Sequence, residues 1–140
     1  MKRSAHHILL IDDDLGRLFL TQHALRKELS DRSTVHLANS GREGIAFMAG
    51  NGEFSDRARH PFPTIVITDL NMPDGDGFDV LQFMQHNPEW GVIPRIMVSS
   101  SEDDDDVRTA YFLGASAYHV KPTGTELDVW PGHGFGGARQ

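Results

Sequence analysis

Four apolar runs in this chain are each followed at once by a residue that can do chemistry. Asp12, Asp13 and Asp14 follow Ile8-Leu9-Leu10-Ile11, and Asp69 follows Thr64-Ile65-Val66-Ile67-Thr68. Ser99 follows Ile96-Met97-Val98, and Lys121 follows Tyr118-His119-Val120. Grouped carboxylates bind hard cations such as Mg2+, which prefers oxygen ligands and keeps several waters. One carboxylate can also attack phosphorus and become an aspartyl phosphate. A metal, a hydroxyl and an ammonium together can neutralise the equatorial oxygens of a phosphoryl group in transfer. Each residue also has a plain alternative. Three adjacent acids suit a solvated helix N-terminus, where the helix dipole favours negative charge. Asp69, ahead of Pro73, Gly75 and Gly77, can simply begin a turn, and a lone lysine is most often a surface residue. What decides between these readings is whether the chain brings the residues together.

The elements that must position them can be read in order. Ile8 to Ile11 reads as a central parallel strand buried on both faces. Leu15, Leu18, Phe19, Gln22, Leu25 and Leu29 fall at helical spacing, which predicts a first helix ending near Ser30, with Arg17, Arg26, Lys27 and Glu28 mostly outside the stripe. Thr34 to Ala38 reads as a second strand with Val35 and Leu37 inward, and Ser40-Gly41-Arg42-Glu43 has the spacing of a capping box opening a helix to about Ala49, with Ile45 and Met48 inward. Gly50 to Pro63 is a long polar loop. The β-branched run Thr64 to Thr68 is the third strand. A helix follows over Phe78 to His86, burying Phe78, Leu81 and Met84 and ending at Asn87-Pro88. Arg95 to Ser99 is a fourth strand, residues 102 to 113 a helix with an acidic start and Gly114 beyond its end, and Ala117 to Val120 a fifth strand. Five alternations imply a parallel sheet with right-handed crossovers and helices on both faces. In such a doubly wound α/β fold the strand ends open on one edge, so Asp12, Asp13, Asp69, Ser99 and Lys121 converge near the point where strand order reverses.

With that constellation in place, the chain resembles a receiver domain of the two-component response regulators. The resemblance covers about residues 6 to 123. It rests on ILLIDDD at 8–14, VITDLNMPDGDGFDVL at 66–81, PRIMVSS at 94–100 and YFLGASAYHVKP at 111–122. The long Gly50–Pro63 loop and the spacing from Asn87 to Pro94 are similar to small stand-alone receivers associated with phytochrome-type and other histidine kinases. The resemblance implies a flavodoxin-like sheet of order 2-1-3-4-5. It implies that Asp69 is the phosphoacceptor and that Asp13 binds Mg2+ directly, with Asp12 acting through water or by orienting the others. The backbone carbonyl of Asn71 would be a further Mg2+ ligand. Ser99 would hydrogen-bond the phosphoryl group, Lys121 would pair with it, and Tyr118 would be the aromatic that follows Ser99. Lys121-Pro122 would be a cis peptide. The implied function is a single-domain switch rather than an enzyme. It would accept phosphoryl from a histidine kinase or phosphotransfer protein and signal through a downstream protein target.

Composition agrees and excludes. One domain with a proper core fits 140 residues. A net charge of -7 argues against direct nucleic-acid or anionic-membrane binding. The chain has no Cys, which removes disulfides, thiolate sites and Cys nucleophiles. No apolar run approaches the roughly 18 residues of a membrane span, and a cytoplasmic protein is expected. The eight His residues show no metal spacing, with His119 outward. Asp14 reads as a solvated cap, the acids at 103–106 as a solvated helix start, and Met72 and Phe78 as packing. Two departures from the family stand out. Leu15-Gly16 replaces a common Pro-containing turn, and residues 124–140, rich in Gly, stand where a last helix is expected. We therefore expect a receiver domain over 1–123 and an atypical tail with that helix shortened or absent. Three consequences are open: lower stability, a homodimer through the bare face, or a non-helical tail folded over it. Two other functions compete. A haloacid-dehalogenase-type phosphotransferase also uses a strand-end Asp, but it wants an acid where Asn71 stands. A phosphorylation-independent binding module is the other.

Overall fold

The computed structural model describes residues 5–121. The Lys121-Pro122 peptide and the tail 124–140, on which two expectations rest, lie outside these residues. Strands β1 (His7–Ile11), β2 (Thr34–Ala38), β3 (Ile65–Asp69), β4 (Arg95–Ser99) and β5 (Ala117–Val120) alternate with helices α1 (Leu15–Glu28), α2 (Gly41–Ala49), α3 (Gly77–His86) and α4 (Asp104–Phe112). All pairings are parallel, and the order is β2-β1-β3-β4-β5. The expected flavodoxin-like topology is therefore present.

Alternation along β1 explains the layers. Ile8 and Leu10 point to one side, where they meet Leu18 and Leu25 of α1 together with Val35, Ile67 and Val98. Leu9 and Ile11 point to the other, against Phe47 and Met48 of α2 and Val80 and Met84 of α3. A strand covered on both faces tolerates no polar residue in its middle, so its carboxylates begin only where the sheet ends. No helix of the described residues is long and apolar enough to cross a membrane.

The α1 stripe is narrower than its sequence spacing suggests. Leu18, Thr21 and Leu25 are buried, whereas Leu15 and Phe19 are 55% and 58% exposed. Leu18 sets the inward direction. Phe19 lies one helical step away, about 100° round the axis, and Leu15 projects from the first turn beyond the sheet edge. The capping box at α2 is also shifted: Ser40 Oγ accepts from Glu43 N, but Glu43 Oε1 accepts from Asn39 N rather than Ser40 N. The long loop after α2 is pinned by Arg57, whose guanidinium donates to the carbonyls of Phe47, Met48 and His60 and lies 4.2 Å over the Phe62 ring. A cation on the last carbonyls of a helix satisfies them and is favoured by the negative end of its dipole.

At the edge of the sheet away from the acidic strand ends, register places His7 opposite Thr34. The Thr34 hydroxyl bonds His7 Nδ1 and His36 Nε2, both at 2.8 Å, and the His36 ring packs on Phe47. Burial, with His7 and His60 nearby, lowers the His36 pKa below its ordinary value. The fold thus favours neutral His36, whereas the unfolded chain protonates it below about pH 6.5. Stability contributed this way is lost as pH falls below about 6.5. Urea unfolding across that range should show a smaller loss on acidification for His36→Gln than for the unaltered chain. Equal losses would remove His36 as the cause.

Candidate functional site

Asp12 stands one residue past β1, Asp69 and Ser99 close β3 and β4, and Lys121 follows β5. Parallel strands bring these ends to one edge, and β1 and β3 are neighbours at the point where strand order reverses. Asp69 is 7% exposed. Its Oδ1 accepts from the backbone N–H of Leu70 at 2.8 Å and from Lys121 Nζ at 2.9 Å. The Lys121 side chain is only 10% exposed and also lies 3.8 Å from Asp12 Oδ2. Burial raises the Asp69 pKa above its ordinary value, while the Lys121 ammonium acts to hold it down and Asp12 adds to the rise.

Asp12, Asp13 and Asp69 each offer a carboxylate oxygen, and these oxygens lie within 4.8 Å of one another. Oxygen-only donors at that spacing, two buried and one exposed, fit a divalent cation that keeps some of its water. Asn71 is exposed on the loop two residues past Asp69. Asp14 is the cap expected of it: its side chain accepts from Arg17 N, which lowers its pKa.

Ser99 is fully buried, and its Oγ accepts from Ser101 N at 3.0 Å. Its hydroxyl therefore engages the β4–α4 loop. Tyr118 is half-buried, and its hydroxyl donates to Ser101 O at 2.9 Å. Ser101 Oγ in turn donates to Asp106 Oδ2 at 2.6 Å, so one loop residue ties the strand end, the aromatic and α4 together. Three consecutive serines look alike in sequence, so that role of Ser101 had no signal there.

Arg17 is the other residue missed. Its Nε donates to Asp12 Oδ2 at 2.7 Å and its Nη2 to Asp12 Oδ1 at 3.2 Å. Nη2 also lies 4.0 Å from Asp69 Oδ2. The carboxylates raise its pKa, chiefly through Asp12. A signal existed: Arg17 stands in the first turn of a helix, where the dipole disfavours a cation.

The family model of the response regulator receiver domain matches residues 8–127. The chain belongs to this family. It is 32% identical over 114 residues to response regulator Rcp1 of Synechocystis sp., covering 81% of this chain and 75% of that protein. Among solved structures it is similar to the phosphorylated cyanobacterial phytochrome response regulator RcpA, with a TM-score of 0.82, 25% identity, and coverage of 97% of this chain and 98% of that one. The Mn(2+)-bound form of Rcp1 aligns with a TM-score of 0.78 at 28% identity, covering 89% of this chain and 88% of the other. The likeness to phytochrome-associated receivers expected from the long loop is thus present. Receiver domains are generally phosphoacceptor switches that interact with kinases or phosphotransfer proteins.

Proposed function

We propose that this receiver works as a response regulator whose acceptor is Asp69. The observation that carries the reading is the pairing of buried Asp69 with Lys121 at 2.9 Å, beside two further carboxylates at a strand end. Leu70 N–H and Lys121 engage Oδ1, which leaves Oδ2 on the carboxylate side to act as nucleophile. It forms the O–P bond as the P–N bond of a kinase phosphohistidine breaks, and the electron pair departs on the imidazole nitrogen. Asp13, Asp69 and the Asn71 carbonyl would hold Mg2+, with Asp12 assisting, and the ion would supply charge neutralisation for the phosphoryl oxygens. The phosphorylated state of RcpA and the Mn2+ bound by Rcp1 support this assignment by likeness.

Lys121 then stays with the new charge, and the Ser99 side chain turns to donate its hydroxyl to a phosphoryl oxygen, giving up the bond it accepts from Ser101 N. Loss of that bond loosens the loop that Tyr118 and Asp106 share through Ser101, and a second arrangement of α4 gains population. A downstream protein reads the change. Expected in the cytoplasm, such a switch needs no nucleic-acid surface of its own.

Intact-mass measurement after incubation with acetyl phosphate and Mg2+ tests the reading. One added phosphoryl group is expected on the unaltered chain, and none on Asp69→Asn or after prior chelation. An adduct that persists in Asp69→Asn would move the acceptor elsewhere. A folded chain that gains no phosphoryl group would favour phosphorylation-independent binding.

A further inference from the structure

We propose that Arg17 is an internal counter-ion occupying the metal site of the resting domain, so that a divalent cation binds by exchange against its guanidinium. The inference rests on the reading of Asp12, Asp13 and Asp69 as that site.

The guanidinium spans both oxygens of Asp12, at 2.7 and 3.2 Å, in the forked geometry that arginine alone offers a carboxylate. Asp12 Oδ1 also accepts from Asp14 N at 3.0 Å. With that bond and the two from Arg17, both oxygens of Asp12 already accept hydrogen bonds, and Lys121 Nζ adds a second cation 3.8 Å from Oδ2. The same Nη2 lies 4.0 Å from Asp69 Oδ2, the acceptor oxygen that Leu70 and Lys121 leave free. Arg17 thus stands against Asp12 and beside Asp69, in the space that a hydrated cation held among Asp12, Asp13 and Asp69 needs. It cannot give up its proton at any ordinary pH, so it can yield the site only by moving.

Two further features fit exchange rather than permanent anchoring. First, placing a cation in the first turn of α1 opposes the helix dipole, and the carboxylates offset that cost only while they remain anionic and uncoordinated. Second, the Arg17 side chain is 30% exposed, so its flexible stem can swing outward without moving α1. Leu18, the next residue, is buried and holds the helix in place while Arg17 changes partner.

The test is an NMR titration of the full chain with MgCl2, comparing the unaltered protein with Arg17→Gln and Arg17→Lys. Loss of a charge-assisted fork is worth about tenfold. Arg17→Gln is therefore expected to bind Mg2+ about tenfold tighter. Arg17→Lys, which keeps the charge but cannot span both oxygens, should also bind more tightly than the unaltered chain. In the unaltered chain the Arg17 Nε–H signal should move and exchange faster with solvent as Mg2+ saturates. Equal affinity in all three chains, or an Nε–H signal unchanged at saturation, overturns the exchange alone. Arg17→Lys binding no tighter than the unaltered chain also overturns it, because charge without occupancy would then suffice. No Mg2+ binding by any of the three overturns the metal-site reading and the exchange with it.

Discussion

Replacing Lys121 with methionine is expected to slow phosphoryl transfer to Asp69 by about two to three orders of magnitude, the usual effect of removing one preorganised group that stabilises transition-state charge. Methionine keeps most of the buried volume and removes only the ammonium. Two consequences follow from the geometry. The transferring group loses the cation that lies 2.9 Å from Asp69, the proposed acceptor. The acceptor also becomes a poorer carboxylate. Burial already raises the Asp69 pKa, and the lysine acts against that rise through both a hydrogen bond and its charge. Without it, burial and the like charge of Asp12 go unopposed on that side, and the pKa climbs further. Because the ionised form is the nucleophile, the acid limb of the rate profile should move to higher pH. Phosphorylation time courses by intact mass, run at several pH values with acetyl phosphate and saturating Mg2+, measure both effects. A rate within about threefold of the unaltered chain, with an unmoved acid limb, would show that Lys121 is not part of the chemistry. Folding need not collapse, because Asp69 can take up a proton and Arg17 remains 4.0 Å away.

Sequence alone carried the sheet and the convergence of its ends because both depend on short-range signals. Ile8 to Ile11 and Ile65 to Thr68 are apolar runs that stop at acids, and a parallel sheet then leaves those acids no other place than one edge. Residues whose role depends on rotation about a helix carry a fainter signal, as the cation Arg17 in a first turn does. The stripe from Leu15 to Leu29 is compatible with several rotations of α1, and only packing shows that Leu18 faces the sheet while Arg17 turns toward Asp12. The histidine cluster was hidden for a related reason. His7, His36 and His60 come from β1, β2 and the long loop, and only the His7–Thr34 register brings the first two to a shared hydroxyl. Ser101 became visible only once the β4–α4 loop was traced back to Tyr118.

Asp69 is held from behind by a glycine, and Gly77→Ala is expected to damage stability and phosphorylation together. α3 begins at Gly77, capped by reciprocal bonds between Asp76 and Asp79. Gly77 N–H donates to Leu70 O at 2.8 Å, which draws the helix start against the end of β3. A Cβ at Gly77 would lie 2.4 Å from the backbone oxygen of Asp69, 2.8 Å from Met97 Sδ and 3.0 Å from Leu70 Cα. The Met97 side chain can yield, but the Asp69 carbonyl belongs to a strand paired on both sides and also accepts from Thr68 Oγ1. Either α3 shifts away, loosening the buried Val80, Leu81 and Met84, or the Asp69 peptide turns and its carboxylate leaves Lys121. Overpacking of this kind costs about 3 kcal/mol, which for a domain this size lowers Tm by about 10 °C. Gly91→Ala is the matched control, since a Cβ there meets only Pro88 O at 3.2 Å. Thermal unfolding of both variants, with the phosphorylated fraction measured well below their transitions, separates the two routes of damage. If Gly77→Ala melts within about 2 °C of the unaltered chain and phosphorylates at the same rate, the close approach of α3 to the acceptor strand does not hold Asp69 in place. A low Tm with normal phosphorylation would assign the strain to α3 alone, and a low Tm with slow phosphorylation would show that Gly77 keeps the acceptor in position.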